Sequence, residues 1–206
     1  MNIAFFGSSL VSAYWNGAAT YYRGIIRALH RLGHRVTFYE PDAYDRQKHR
    51  DIPDPDWASV VVYPVDNHQH GVLRALEHAH GVDLLIKTSG VGVYDRFLES
   101  AVLEIKATHT LSLYWDVDAP ATLDRVKANA ADPFADQIPQ YDLILTYGGG
   151  DPVVRAYSEF GAACCVPIYN ALDPTTHHPV EPCDAFAVDL AFLGNRLPDR
   201  EARVHE

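Results

Sequence analysis

Gly148-Gly149-Gly150-Asp151 joins an apolar run, Tyr141 to Tyr147, to a segment, Pro152 to Phe160, with apolar residues at helical spacing and a stop at Gly161. Pro152 suits a first helical turn, where its missing N–H would be unpaired in any case. A strand, a glycine turn and a helix N-terminus together offer free backbone N–H groups to an anion or a sugar hydroxyl. The stretch contains no GxGxxG and no phosphate-loop lysine followed by Ser or Thr, so it implies backbone donors and no particular nucleotide fingerprint.

Asp116 and Asp118 stand in Tyr114-Trp-Asp-Val-Asp-Ala-Pro120. If the strand continues, alternation puts both carboxylates on one side, where they would share a metal or raise one another's pKa. An acid at a strand end also suits a base that deprotonates an acceptor hydroxyl, and Asp116 is the better catalytic candidate. Asp118 doubles as an N-cap for a helix starting near Ala119-Pro120. Lys87-Thr88-Ser89 reads as a strand end able to hold a phosphate or a sugar hydroxyl, or as a lysine that snorkels to solvent. Of the histidine pairs His68/His70, His78/His80 and His177/His178, the first two are two apart, so on a helix their members point about 200° from each other and cannot share a metal. No metal site is expected. Cys164 and Cys165, adjacent in an expected strand, read as small core hydrophobes on opposite faces.

The elements that must position these groups alternate along the chain. Strands are expected at Ile3–Phe6, Arg35–Glu40, Ser59–Tyr63, Val82–Lys87, Thr108–Trp115, Tyr141–Thr146 and Ala162–Val166. Helices are expected over Thr20–Arg31, His68–His80, Tyr94–Lys106, Ala119–Ala130 and after the glycine triplet. In the first of these, Tyr21, Ile25, Leu29 and Leu32 share a face, and Gly33 ends it. The charged, proline-containing interval from Pro41 to Trp57 is expected as a surface excursion. Apolar strands alternating with helices make a doubly wound, Rossmann-like α/β domain with a parallel sheet. Its ligands should sit at the carboxyl ends of the strands, which carry Gly7-Ser8-Ser9, Thr88-Ser89-Gly90, Asp116 to Asp118 and Tyr147 to Gly150.

Composition narrows the partners. The 206 residues carry a formal net charge of −10, which argues against a nucleic-acid partner, since that needs a basic stripe. Three cysteines are too few for a disulfide framework, so a reducing cytoplasm is the expected location. No apolar run reaches the roughly 18 residues of a transmembrane helix. A receiver domain would want an acidic pair after the first strand, and a nicotinamide enzyme a GxGxxG; Gly7-Ser8-Ser9 is neither. Asn170 to Pro179 has no hydrophobic period and reads as a linker. Val188 to Gly194 then starts a fresh strand, and Asn195 to Arg203 another helix, which makes the chain look truncated within a second domain.

This order of segments resembles the GT-B glycosyltransferases, two Rossmann-like halves joined by a linker. Val166-Pro-Ile-Tyr-Asn-Ala-Leu-Asp173, followed by His178-Pro179, is similar to that family's hinge. Asp189-Leu-Ala-Phe-Leu-Gly-Asn-Arg196 is similar to the opening strand and phosphate loop of its C-terminal half. Among relatives the likeness is to spore-maturation CgeB-like and family-1/4-like bacterial glycosyltransferases. The resemblance implies an acceptor-side domain over 1–168, a linker over 169–187 and the start of a nucleotide-sugar-binding domain over 188–206. It further implies metal-independent sugar transfer from a nucleotide-sugar co-substrate to an acceptor, with no other cofactor, and a chain inactive without the missing C-terminal domain. Gly7, Ser8, Asn16 and Gly17 match the loop that approaches the donor phosphates, and Arg196, with Arg200, matches the cations of the second half. Lys87, Thr88, Ser89, Asp118, Tyr147, Gly148, Gly149 and Gly150 would line the acceptor cleft. The alternative is a non-catalytic α/β binding module.

Overall fold

The computed structural model describes residues 1–169, 171 and 173–191. It divides into two units, Met1–Thr176 and His177–Glu206. The first contains β1 (Asn2–Phe6), α1 (Ala18–Arg31), β2 (Arg35–Asp42), β3 (Ser59–Pro64), α2 (His70–His78), β4 (Leu84–Thr88) and α3 (Asp95–Glu104). It continues with β5 (Leu111–Asp116), α4 (Ala119–Ala128), α5 (Phe134–Gln137), β6 (Leu143–Thr146), α6 (Gly150–Glu159) and β7 (Cys165–Pro167). The described part of the second unit holds a 3-10 turn, Asp184–Phe186. Of the strand expected over 188–194, residues 188–191 are not extended into a ladder, and the remainder, with Arg196 and Arg200, lies outside the described residues.

All seven strands pair in parallel in the order β3-β2-β1-β4-β5-β6-β7. Alternation in β1 sends its side chains to opposite faces and so into two packed layers. Ile3 and Phe5 pack beneath α1 with Tyr22, Ile26, Phe38 and Trp115. Ala4 and Phe6 face the other layer, where α2, α3, α4, α5 and α6 contribute Val72, Leu98, Leu123, Phe134 and Tyr157. Phe5 stacks on Phe38 with ring centroids 5.0 Å apart, and each such buried ring contributes about 1.5–3 kcal/mol.

The helical stripe of α1 is rotated from the expected one. Tyr22 and Ile26 are fully buried, Ile25 and Leu29 half-buried, and Leu32 is exposed beyond the helix end. The large rings of Phe5 and Phe38 draw Tyr22 inward and turn Ile25 toward the rim. Gly33, with φ +83°, closes α1: its N–H donates to the carbonyl of His30, and that of His34 to Leu29. The expected core cysteines are also corrected. Cys164 is exposed and Cys165 half-buried, because β7 is a three-residue edge strand with little packed over it.

The interval after β2 is less peripheral than its charge suggested. It folds back over the first loop through Asp51 N–H to Val11 O (3.1 Å), Ser12 Oγ to His49 O (2.8 Å) and a two-pronged Arg23–Asp51 ion pair (2.8 and 2.7 Å). Hydrogen bonding from Arg23 holds the Asp51 carboxyl below its ordinary value.

Candidate active site

A strand order that reverses between β1 and β4 opens a crevice at their carboxyl ends, where α1 leaves one face and α3 the other. Five non-glycine residues adopt left-handed backbone: Trp15, Tyr44, Asp45, Gln69 and Tyr94. All five lie in the loops that follow β1, β2, β3 and β4, on this one edge. Each costs about 1–3 kcal/mol, so this edge stores strain that the opposite edge, where helices end at Gly33, Gly81 and Gly161 before the next strand, does not.

The loop after β1 is built on buried polar contacts. Ser8 Oγ donates to Asn16 Oδ1 (2.8 Å), and Asn16 Nδ2 donates to the carbonyls of Ser9 (2.8 Å) and Ser12 (3.0 Å). Both side chains are buried and shape the loop without facing a ligand. Gly7 donates its N–H to Tyr39 O (3.1 Å), which removes it as a phosphate donor. Its glycine identity answers packing instead, since the Phe38 ring lies 2.5 Å from where a Cβ would be. Gly17 differs. It is exposed at the start of α1, and among the described residues no side chain caps the helix and the N–H groups of Gly17 and Ala18 have no acceptor. Trp15, 68% exposed, and Tyr14, stacked on His49 at 4.0 Å, stand beside them. Neither aromatic was singled out from sequence. The signal was two large rings immediately before Asn-Gly at a helix start.

Lys87 does not reach the cleft. It is 0% exposed, with Nζ 2.7 Å from Asp95 Oδ1 and 5.5 Å from the Tyr114 ring centre, in the layer opposite α1. Alternation along β4 decides this, and the snorkelling alternative fails for the same reason. Thr88 is buried, with Oγ1 on Phe6 O (3.3 Å). Ser89 donates to Asp116 Oδ1 (2.8 Å) and accepts from Val117 N (2.8 Å), which ties the β4 loop to the β5 loop.

Asp116, at the end of β5, is 0% exposed and receives four donors: Ser89 Oγ, Asp118 N (3.0 Å), Thr122 Oγ1 (3.0 Å) and Tyr157 OH (2.5 Å). A carboxylate so occupied has no oxygen turned to a substrate, which fits a positioning role better than the proton acceptor expected of it. Burial, then the Asp116 charge, push the Tyr157 phenol far above its ordinary value, so it stays a donor to that carboxylate. Asp118 is exposed and caps α4, accepting from Ala121 N (3.4 Å). The two carboxylates do not share a face, because the strand ends at Asp116.

The glycine triplet lies where the sequence puts it, between β6 and α6. Gly148, Gly149 and Gly150 have φ values of +128°, +78° and +53°, and the N–H groups of Gly148 and Gly149 have no partner among the described residues. Gly149, Gly148, Tyr147, Asp118, Val117 and Ala119 line a cavity of about 250 Å³. The half-buried Tyr147 ring meets Tyr21 of α1 edge-on at 5.0 Å. Among the described residues no three His, Cys, Asp or Glu side chains converge as metal ligands, and no helix is long and apolar enough to cross a membrane.

No protein-family model and no curated protein matches this chain. Among solved structures it is similar to an alpha-glucosyltransferase in complex with UDP-glucose and DNA containing an abasic site, with a TM-score of 0.54 and 12% identity. The likeness covers 85% of this chain and 44% of that one, so this chain spans less than half the length of the structure it matches. The fold is Rossmann-like, of the GT-B N-terminal type.

In this GT-B-type domain the carboxyl edge carries free backbone donors at the start of α1 and at the start of α6. The second depends on glycine. A Cβ on Gly149 would lie 2.2 Å from Val153 Cγ2, at a φ that already disfavours side chains. Gly149→Ala should therefore lower unfolding stability by about 2–3 kcal/mol, read by urea denaturation. A change under about 0.5 kcal/mol, the usual range of a neutral surface substitution, would show that the turn is not held as described.

Proposed function

We propose that this chain is the acceptor-side half of a metal-independent glycosyltransferase, which moves a sugar from a nucleotide-sugar to an acceptor. The observation that carries the reading is the pairing of unbonded N–H groups at Gly17 and Ala18 with those at Gly148 and Gly149 on one sheet edge. Donors of that kind stabilise a diphosphate as leaving-group charge develops on it. The exposed Trp15 ring offers the apolar face on which a sugar stacks. Asp118, exposed on the cavity wall, is the carboxylate placed to take the acceptor's proton, and Asp116 sets its position through the Asp118 N–H.

The likeness to CgeB-like and family-1/4-like enzymes is the finer form of this proposal. Within it, residues 169–187 form the linker and 188–206 open the nucleotide-sugar-binding domain, with Arg196 as a second-half cation. The docking of Asp173 on α1, through its ion pair to Arg27 (2.5 Å), is compatible with a linker anchored at its first end.

Gly17→Val tests the reading cleanly. Gly17 has φ −62° and nothing within 4 Å of a Cβ, so valine fits and any effect reports on the ligand. Saturation-transfer NMR of the chain with UDP-glucose should show contacts that Gly17→Val weakens about tenfold, because the side chain blocks approach to the backbone N–H and one charge-assisted bond is not made. The chain alone should release no sugar. Contacts unchanged by Gly17→Val, or turnover by the isolated chain, would remove the half-enzyme reading.

A further inference from the structure

The layer opposite α1 carries an apolar hollow on its outer side. Between α2 and α3 runs a groove of about 980 Å³, floored by Leu76, Phe97, Ala101 and Ile105. Leu76 and Ala101 are buried and Phe97 and Ile105 half-buried, so the floor is the outer skin of the main core. Ala101 is too short to fill the space between the helices. Leu73 stands on the wall of the groove and is 47% exposed. An apolar hollow beside an apolar projection marks an interaction surface.

The charges of this face are placed for a neighbour and not for their own helices. Glu104 is the last residue of α3 and Glu77 the last but one of α2, where the helix dipole disfavours carboxylates. No basic residue stands in the last turn of α3 to offset this. Arg74 precedes Glu77 by about one turn on α2. Among the described residues none of these three side chains makes an ion pair. The two helices run in the same direction, since each returns from the carboxyl edge to begin another parallel strand. Both carboxylates therefore gather at one end of the groove, with the cation set back from them.

A second copy, turned about a two-fold axis normal to this face, supplies what each feature lacks. Antiparallel docking carries the second copy's Arg74, with the amino ends of its helices, toward Glu77 and Glu104. It also seats each Leu73 in the hollow of the other copy. One patch holds both the projection and the recess, and both signs of charge, which is the self-complementarity that an isologous contact requires. The match decides the occupant. A basic partner would meet Arg74 and an acidic one Glu77 and Glu104, each with like charges opposed.

We propose that the α2/α3 face joins two copies of this chain in a closed, antiparallel dimer.

Sedimentation equilibrium of the 206-residue chain from micromolar to millimolar concentration tests it, with a monomer–dimer equilibrium as the expected result. Leu73→Glu should weaken the dimer at least about tenfold, since it drives a charge into an apolar hollow. Arg74→Glu and Glu77→Arg, each alone, should weaken it about five- to tenfold, because the two-fold axis counts every repulsion twice. Combined in one chain, the two reversals again oppose unlike charges across the axis, and affinity should return to within about threefold of wild type. Leu73, Arg74 and Glu77 are all exposed, so every variant should melt with the wild type, which thermal denaturation checks. A chain that stays monomeric, or one that associates beyond the dimer, overturns the proposal and leaves the groove to another occupant. So does a dimer indifferent to Leu73→Glu, or a double reversal no tighter than the single ones. None of these residues lines the carboxyl-edge cavity, so neither outcome bears on the sugar-transfer reading.

Discussion

Asp116→Ala should lower the unfolding free energy by about 3–5 kcal/mol, because it strands four donors at once, those of Thr122 and Tyr157 buried. The hydroxyls of Ser89, Thr122 and Tyr157 and the N–H of Asp118 reach this carboxylate from the β4 loop, α4, α6 and the β5 loop. Its loss unties the β5 loop, α4 and α6 around the cavity together. Asp116→Asn is the informative companion. An amide keeps one acceptor oxygen but aims N–H groups at one of the donors, so about half of the loss should remain. Urea denaturation followed by far-UV circular dichroism measures both variants. A loss under about 1 kcal/mol in Asp116→Ala, within the range of an ordinary surface substitution, would show that the carboxylate is not the hub described.

Asp95→Ala should be as damaging by a different route. Lys87 is 0% exposed, and its ammonium meets Asp95, which also accepts from Val91 N (3.1 Å) and Gly92 N (2.7 Å). Removing Asp95 leaves a buried cation unpaired and costs about 3–5 kcal/mol. Lys87→Met should cost much less, since Asp95 is partly exposed and keeps two backbone donors. The double variant Lys87→Met with Asp95→Ala should therefore be more stable than Asp95→Ala alone. That reversal is the signature of a desolvated charge, and simple loss of contacts would make the double variant the worst of the three.

The two variants also show where the sequence was readable. The continuous apolar runs Ile3 to Phe6 and Val60 to Tyr63, with Gly33 and Gly161 as helix stops, carry the parallel sheet and its crossovers, because burial on both faces leaves its mark on composition. The glycine triplet was legible for a similar reason, as a turn that only glycine enters freely. The polar side chains of the edge were not. Lys87 and Asp116 both lie at strand ends where a cleft was expected, but alternation and tertiary partners, Asp95 for one and Tyr157 for the other, direct them inward. Arg46 was hidden by its neighbours, since Arg-Gln-Lys-His-Arg reads as solvated until the fold shows one of its cations packed against the Ser8 and Val91 carbonyls. Composition reports the average fate of a segment, while a site depends on the exceptional residue within it.

The gathering of left-handed residues on one edge has a bearing on how the domain responds to what it binds. Trp15, Tyr44, Asp45, Gln69 and Tyr94 each sit in a backbone well with a lower one close by. Loops held this way have alternative arrangements within a few kcal/mol, whereas the fully laddered strands beneath them have none so near. A ligand on this edge therefore meets a surface whose populations it can redistribute with modest differential affinity, without disturbing the sheet. Rigidity and adaptability are partitioned along the length of each strand, with the amino ends fixed and the carboxyl ends free to choose.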